Sequence, residues 1–197
     1  EANAWFVGEP FKVFYDYKKE GIWQLGEEAA AAANGQEPGD IKVQDVDGNG
    51  VITTDDRIIY SQRPDVTFGF NNTFNYKGFD LSVFLYARLG QWIAYDYNTT
   101  YRINALENGG NVDYWTPENP TNAFPRPNKS KSYTQVTYYS TLKYEDGSFF
   151  KIRDITLGYT FKPELLKHLN LSRLRVYATA KNFFTFSKID NYDPEHG

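Results

Sequence analysis

The sequence predicts an all-β chain, an antiparallel transmembrane β-barrel segment with long extracellular loops. Three observations predict it: aromatic residues make up 18% of the chain, with 16 Tyr, 15 Phe and 4 Trp; two neighbouring runs alternate largely between apolar and polar residues; and a tight turn in one place is set against a very long connection in another. Aromatic and β-branched side chains suit a pleated surface, and short turns at one end with long loops at the other are the asymmetry of outer-membrane barrels. No stretch approaches the roughly 20 apolar residues of a membrane-spanning helix. The low mean hydropathy does not argue against a membrane strand, which shows only one face to lipid.

Along the chain, 11–17 reads as a strand and the alanine-rich 27–33 as a helical turn or a surface loop. Residues 39–57 form a loop with a candidate calcium site. The hairpin 66–89 follows, then the long loop 90–148, then a second strand pair over 149–186. In the hairpin, Val66, Phe68, Phe70, Asn72, Phe74 and Tyr76 alternate with Thr67, Gly69, Asn71, Thr73 and Asn75. Phe79, Leu81, Val83, Leu85, Ala87 and Leu89 alternate with Asp80, Ser82, Phe84, Tyr86 and Arg88. A two-residue Lys77-Gly78 loop pairs Tyr76 with Phe79, Phe74 with Leu81, Phe70 with Leu85 and Val66 with Leu89, so both apolar sets fall on one side. A slip of one residue would destroy that match. Each run exceeds the roughly 5 or 6 residues of globular strands and meets the roughly 9 to 11 that cross a bilayer at a tilt. Phe68, Phe70, Phe74, Leu81, Val83 and Leu85 are therefore expected to face lipid.

In the second pair, 149–161 carries Ile155, Leu157, Tyr159 and Phe161 on one face. Phe150 and Ile152 fall on the other, a change of phase near Arg153 that points to a bulge or to a half-buried upper end of the strand. Residues 174–186 alternate again, and the connector 163–172, with Pro163 and four leucines, reads as a short helical turn packing locally.

Composition excludes several function classes. There is no cysteine, there are only two histidines, and the net charge is -4, so disulfides and Cys or His metal sites have no ligands. Lys and Arg are scattered rather than clustered, which excludes a nucleic-acid surface. The acidic neighbours Glu145 and Asp146, or Asp55 and Asp56, read as solvated surface, and His168 and His196 as ordinary surface residues; the chain is not expected to be an enzyme. Because it begins at Glu1 with no signal-peptide pattern, it is expected to be a piece of something longer.

The strongest local motif is Asp45-Val46-Asp47-Gly48-Asn49-Gly50-Val51, closing at Asp56. It matches the calcium-loop pattern: Asp45, Asp47 and Asn49 offer side-chain oxygens, Gly50 the sharp turn, Val51 a carbonyl and Asp56 the twelfth position. The plain alternative is a polar turn, since Asp, Asn and Gly form turns unaided. Among the loop aromatics Trp92, Tyr95, Tyr97, Tyr101, Tyr114, Trp115, Tyr133, Tyr138 and Tyr139, the pair Tyr114 and Trp115 in Tyr-Trp-Thr-Pro-Glu-Asn-Pro is the best candidate for a loop-packing or partner contact.

Taken in order, several phrases resemble the C-terminal third or less of SusC/RagA-family TonB-linked outer-membrane transporters. They are Gly39-Asp40-Ile41-Lys42 before the calcium-type loop, Asp56-Arg57, Thr67-Phe68-Gly69-Phe70, Tyr76-Lys77-Gly78-Phe79-Asp80-Leu81, Tyr114-Trp115-Thr116-Pro117-Glu118-Asn119-Pro120, Asp146-Gly147-Ser148-Phe149-Phe150-Lys151-Ile152-Arg153, Ile155-Thr156-Leu157-Gly158-Tyr159 and Ala180-Lys181-Asn182-Phe183-Phe184-Thr185. The resemblance implies a large TonB-dependent receptor barrel of about 22 strands in the outer membrane of a Gram-negative, Bacteroidetes-like bacterium. It implies import of oligosaccharides or peptides, with TonB and a SusD-like lipoprotein lid as partners. Neither the plug domain nor the TonB box of that family is recognisable in these residues. The competing reading is a secreted, soluble calcium- and glycan-binding β-sandwich, and a glycan-active enzyme is a third.

Overall fold

In a computed structural model of the chain, residues 2–11, 13–95, 111–131, 135–189 and 193–196 are described. They fall into two units, Glu1–Gln62 with Trp92–Glu145, and Arg63–Gln91 with Asp146–Gly197.

The first unit is made of short strands. β1 (Ala2–Ala4), β2 (Val13–Tyr17) and β5 (Arg57–Ser61) form an antiparallel sheet in the order β1-β2-β5. β3 (Lys19–Ile22) pairs with β4 (Ile41–Val43), and β8 (Trp92–Ala94) with β9 (Tyr144–Asp146). The alanine run forms the helix α1 (Glu28–Ala33), which buries Ala31. The core gathers Ile22, Ile41, Val43, Trp115, Tyr139 and Leu142. Beside them Tyr60 stacks on Tyr144 with ring centroids 4.8 Å apart and meets the edge of Trp92 at the same distance. Segment 90–148 thus carries β8 and β9 together with Trp115, Tyr139 and Leu142 of this core.

The second unit is a four-stranded antiparallel sheet of β6 (Val66–Tyr76), β7 (Phe79–Leu89), β10 (Phe149–Thr160) and β11 (Arg175–Ser187), in the order β11-β10-β7-β6. The expected hairpin register is the observed one: Tyr76 opposes Phe79, Phe74 opposes Leu81, Phe70 opposes Leu85 and Val66 opposes Leu89. At the turn Lys77 and Gly78 both have positive φ, 48° and 92°, the backbone a two-residue hairpin of the favoured hand requires. A β-carbon on Gly78 would stand 2.8 Å from the carbonyl oxygen of Thr160, so the approach of β10 also demands glycine.

The bulge expected near Arg153 is present, because the register of β10 shifts between Ile152 and Asp154 against both neighbours. Its effect corrects the expected faces: Ile152 opposes Leu85 and Phe150 opposes Ala87. Both therefore join Ile155, Leu157 and Tyr159 on one face. The extra residue absorbs the change of phase. On β11 the shift falls beside Asn182, whose φ is 49°. The connector between β10 and β11 forms the helical turn α2 (Pro163–Leu166), which buries Leu166, while Leu165, Leu169 and Leu171 stay exposed.

Candidate functional site

Two features of the described residues can carry function: the faces of the long sheet, and the acidic loop between β4 and β5.

On the sheet, the register gathers most of the apolar residues of all four strands on one side, with Asn72 among them opposite Val83, while Phe84, Tyr86, Phe149 and Tyr177 stand on the other. Phe68, Phe70 and Phe74 are 46%, 45% and 56% exposed, whereas Leu81, Val83 and Leu85 are half-buried because β7 has a neighbour on each side. Leu157, Val176, Phe184 and Phe186 extend the row and are each about half exposed. In a β-sandwich a second sheet would cover such a face. An uncovered apolar face this wide marks a surface meant for lipid or for more protein.

The opposite face is mainly polar, with an aromatic group where Tyr86 meets Phe84 and Phe149. Ser82 meets Asn71 at 3.4 Å, and the hydroxyls of Thr156 and Thr179 lie 2.9 Å apart. Arg175 on β11 reaches over β10 to Asp80 on β7, its Nε donating to Oδ1 at 3.0 Å and its Nη2 to Oδ2. Gly158 lies beneath that bridge. A second charge cluster on the same face joins Lys151 and Arg153 to Asp193 and Glu195. Neither cluster is legible from the sequence, since one unites residues of separate strands and the other joins β10 to residues beyond β11. The one available signal is Gly158 amid large residues, the mark of a close approach.

The acidic loop brings Asp45, Asp47 and Asp56 together, with one carboxylate oxygen of each within 4.8 Å of the others. Asp45 accepts from the amides of Gly48 at 2.8 Å and Gly50 at 2.7 Å. Asp47 accepts from the amide of Asn49 at 3.0 Å, and Asn49 Oδ1 accepts from the amide of Val51 at 2.8 Å. Asp56 is fully buried and takes the amides of Thr53 at 2.7 Å and Val46 at 2.8 Å. The Thr53 amide, followed by those of Val46 and Asp47, holds its carboxyl below the usual range. Gly48 and Gly50 supply the positive φ, 74° and 84°, that folds the loop this tightly. The donor set is all oxygen, as a hard cation requires, and every carboxylate oxygen that accepts one amide keeps a free lone pair for a cation.

Trp115 is buried in the core of the first unit, its Nε1 donating to Gln24 Oε1 at 2.8 Å, while Tyr114 beside it is exposed. Gly39, at φ 91°, has no room for a β-carbon because the Trp115 ring would lie 2.7 Å from it. Trp92, Tyr138 and Tyr139 pack within that unit. Tyr97, Tyr101 and Tyr133 lie outside the described residues, as does the side chain of His196.

No family model matches the chain. It is 33% identical over 199 residues to the TonB-dependent receptor P3 of Formosa agariphila, a match covering 95% of this chain and 19% of the receptor. It is 32% identical over 157 residues to the TonB-dependent receptor SusC of Bacteroides thetaiotaomicron, covering 77% of this chain and 15% of that protein. The chain thus spans a fifth or less of the length of these curated relatives. Among solved structures it resembles a chain of the RagAB peptide transporter, with a TM-score of 0.68 at 23% identity over 98% of this chain and 21% of that one. It also resembles a chain of the RagAB peptide importer in its open-open state, with a TM-score of 0.64 at 24% identity.

Proposed function

Since the chain belongs to the SusC/RagA-family TonB-dependent receptors, of which it is a barrel portion and not an enzyme, we propose that it forms part of the wall and mouth of an outer-membrane importer. In this reading the whole protein takes up oligosaccharides or peptides, is energised through TonB and works with a SusD-like lipoprotein lid. The observation that carries it is the long sheet: four strands of 11, 11, 12 and 13 residues, one face largely apolar and left open by the described residues, the other mainly polar and bridged by ion pairs. Strands of that length and patterning cross a bilayer. The edges of β6 and β11 pair with no other described strand, and a spanning sheet must close on further strands. Segment 90–148 is then an extracellular loop, where Tyr114 is a candidate partner contact. The full-length protein should fractionate with the outer membrane and support growth on an oligosaccharide or peptide only in cells with TonB. Equal uptake without TonB would contradict the reading.

We also propose that the acidic loop takes calcium, held by Asp45, Asp47, Asn49, the carbonyl of Val51 and Asp56. Three carboxylates this close repel one another, and a divalent cation would offset that repulsion. Its role would be to fix the loop; no group beside it serves as a nucleophile.

A further inference from the structure

We propose that Asp193–Glu195 is a strap, locked by an ionic latch over the polar face of the long sheet. Lys151 is the anchor. Its side chain is 1% exposed, which is rare for lysine unless the charge is paired. Its Nζ donates to Asp193 Oδ1 at 3.1 Å and Oδ2 at 2.9 Å, and to Glu195 Oε2 at 2.7 Å. Arg153, at the bulge, holds the other oxygen of Glu195 at 3.1 Å. Two cations thus meet two carboxylates. The strap is also pinned by its backbone: Gln91 Nε2 donates to the carbonyl of Pro194 at 3.3 Å and to that of Gly147 at 2.8 Å, and the Pro194 side chain is fully buried.

The bulge explains why this works. Lys151 opposes Tyr86 and Thr185, so it stands on the polar face, and the extra residue at Arg153 keeps it there while Phe150 and Ile152 keep to the apolar one. Arg153 is 42% exposed and lies over the Tyr86 ring at 5.5 Å. An unstrapped sheet would present Lys151, Arg153 and Tyr86 as an open cationic and aromatic surface. The strap covers that surface with carboxylates of the chain itself. A buried lysine stripped of its partners is strongly unfavourable, so the paired carboxylates hold the strap down on the sheet. That the covered face is the interior of a barrel rests on the importer reading; the latch itself does not.

The test uses the full-length protein in outer-membrane vesicles with Pro194→Cys and a water-soluble maleimide. Labelling should be slow with the latch intact and at least about tenfold faster when Lys151→Met or Glu195→Gln is added, as expected when one partner of a buried pair is lost. Heat-modifiable migration on gels reads barrel folding in each variant, and Glu195→Gln decides the matter if Lys151→Met does not fold. Slow labelling in every folded variant, or fast labelling in all of them, overturns the latch. Labelling that depends on Lys151 in a protein with no heat-modifiable form would support the latch and contradict the importer reading.

Discussion

Arg175 and Asp80 form a bidentate ion pair that crosses an entire strand, with Gly158 of β10 lying beneath it. A β-carbon at Gly158 would fall 2.6 Å from Arg175 Nη2 and from both oxygens of Asp80. Gly158→Ala should therefore destabilise the sheet by about 1–3 kcal/mol, the range for overpacking. Asp80→Asn should remove most of that penalty's dependence on Arg175. A double-mutant cycle on thermal unfolding of the detergent-solubilised full-length protein checks both.

The apolar face should reject charge according to its depth in the bilayer. Phe70→Lys or Leu85→Lys, at facing positions near the middle of β6 and β7, should cost about 2–4 kcal/mol. Thr73→Lys and Ser82→Lys on the other face should be tolerated. Urea titration of the folded barrel in lipid reads the difference, and equal tolerance of both sets would remove the lipid-facing assignment.

Much of the sheet was legible because its signals are local. The alternation of Val66–Tyr76 and Phe79–Leu89 and the Lys77-Gly78 turn specify register without reference to the rest of the chain. The phase change at Arg153 revealed the bulge but not its consequence, since the sequence alone does not say that Ile152 would be carried round to oppose Leu85. β3 and β4 escaped notice because Ile22 and Ile41 meet across a long excursion and each strand is too short to show a period. Trp115 with Gln24, and Lys151 with Glu195, are likewise products of tertiary contact. The acidic loop lay at the other extreme, with its ligand types and spacing written in a single stretch.

Within the first unit, Trp115→Ala should cost about 3–5 kcal/mol, the usual range for deleting a buried Trp, because it empties the core around Ile22 and Ile41 and leaves Gln24 Oε1 without its donor. Hydrogen exchange should show protection falling in β3 and β4 while β6 and β7 stay unchanged.

For the acidic loop, calcium should bind the native chain with measurable heat and bind far more weakly once Asp45→Ala and Asp47→Ala are combined. Identical calorimetric traces would leave a turn held by amides alone.

Asp56 also predicts an acid limb. Its carboxyl is held below the ordinary range in the folded state, so the stability it contributes is present above its unfolded pKa of about 3.9. That contribution is lost as pH falls through the lower folded value. Asp56→Asn should lower stability at neutral pH and flatten the loss below about pH 4, as followed by thermal melts across pH.

In the importer, β6 and β7 are expected to show one face to lipid and the other to water. These 197 residues contain no cysteine; single cysteines placed along both strands of a full-length protein freed of any cysteine elsewhere can be offered a bilayer-resident probe and a water-soluble one. Cysteines at Phe68, Phe70, Phe74, Leu81, Val83 and Leu85 should react with the bilayer probe, and those at Asn71, Thr73 and Ser82 with the aqueous one, in a strict period of two. Reaction of both sets with the aqueous reagent alone would contradict the account.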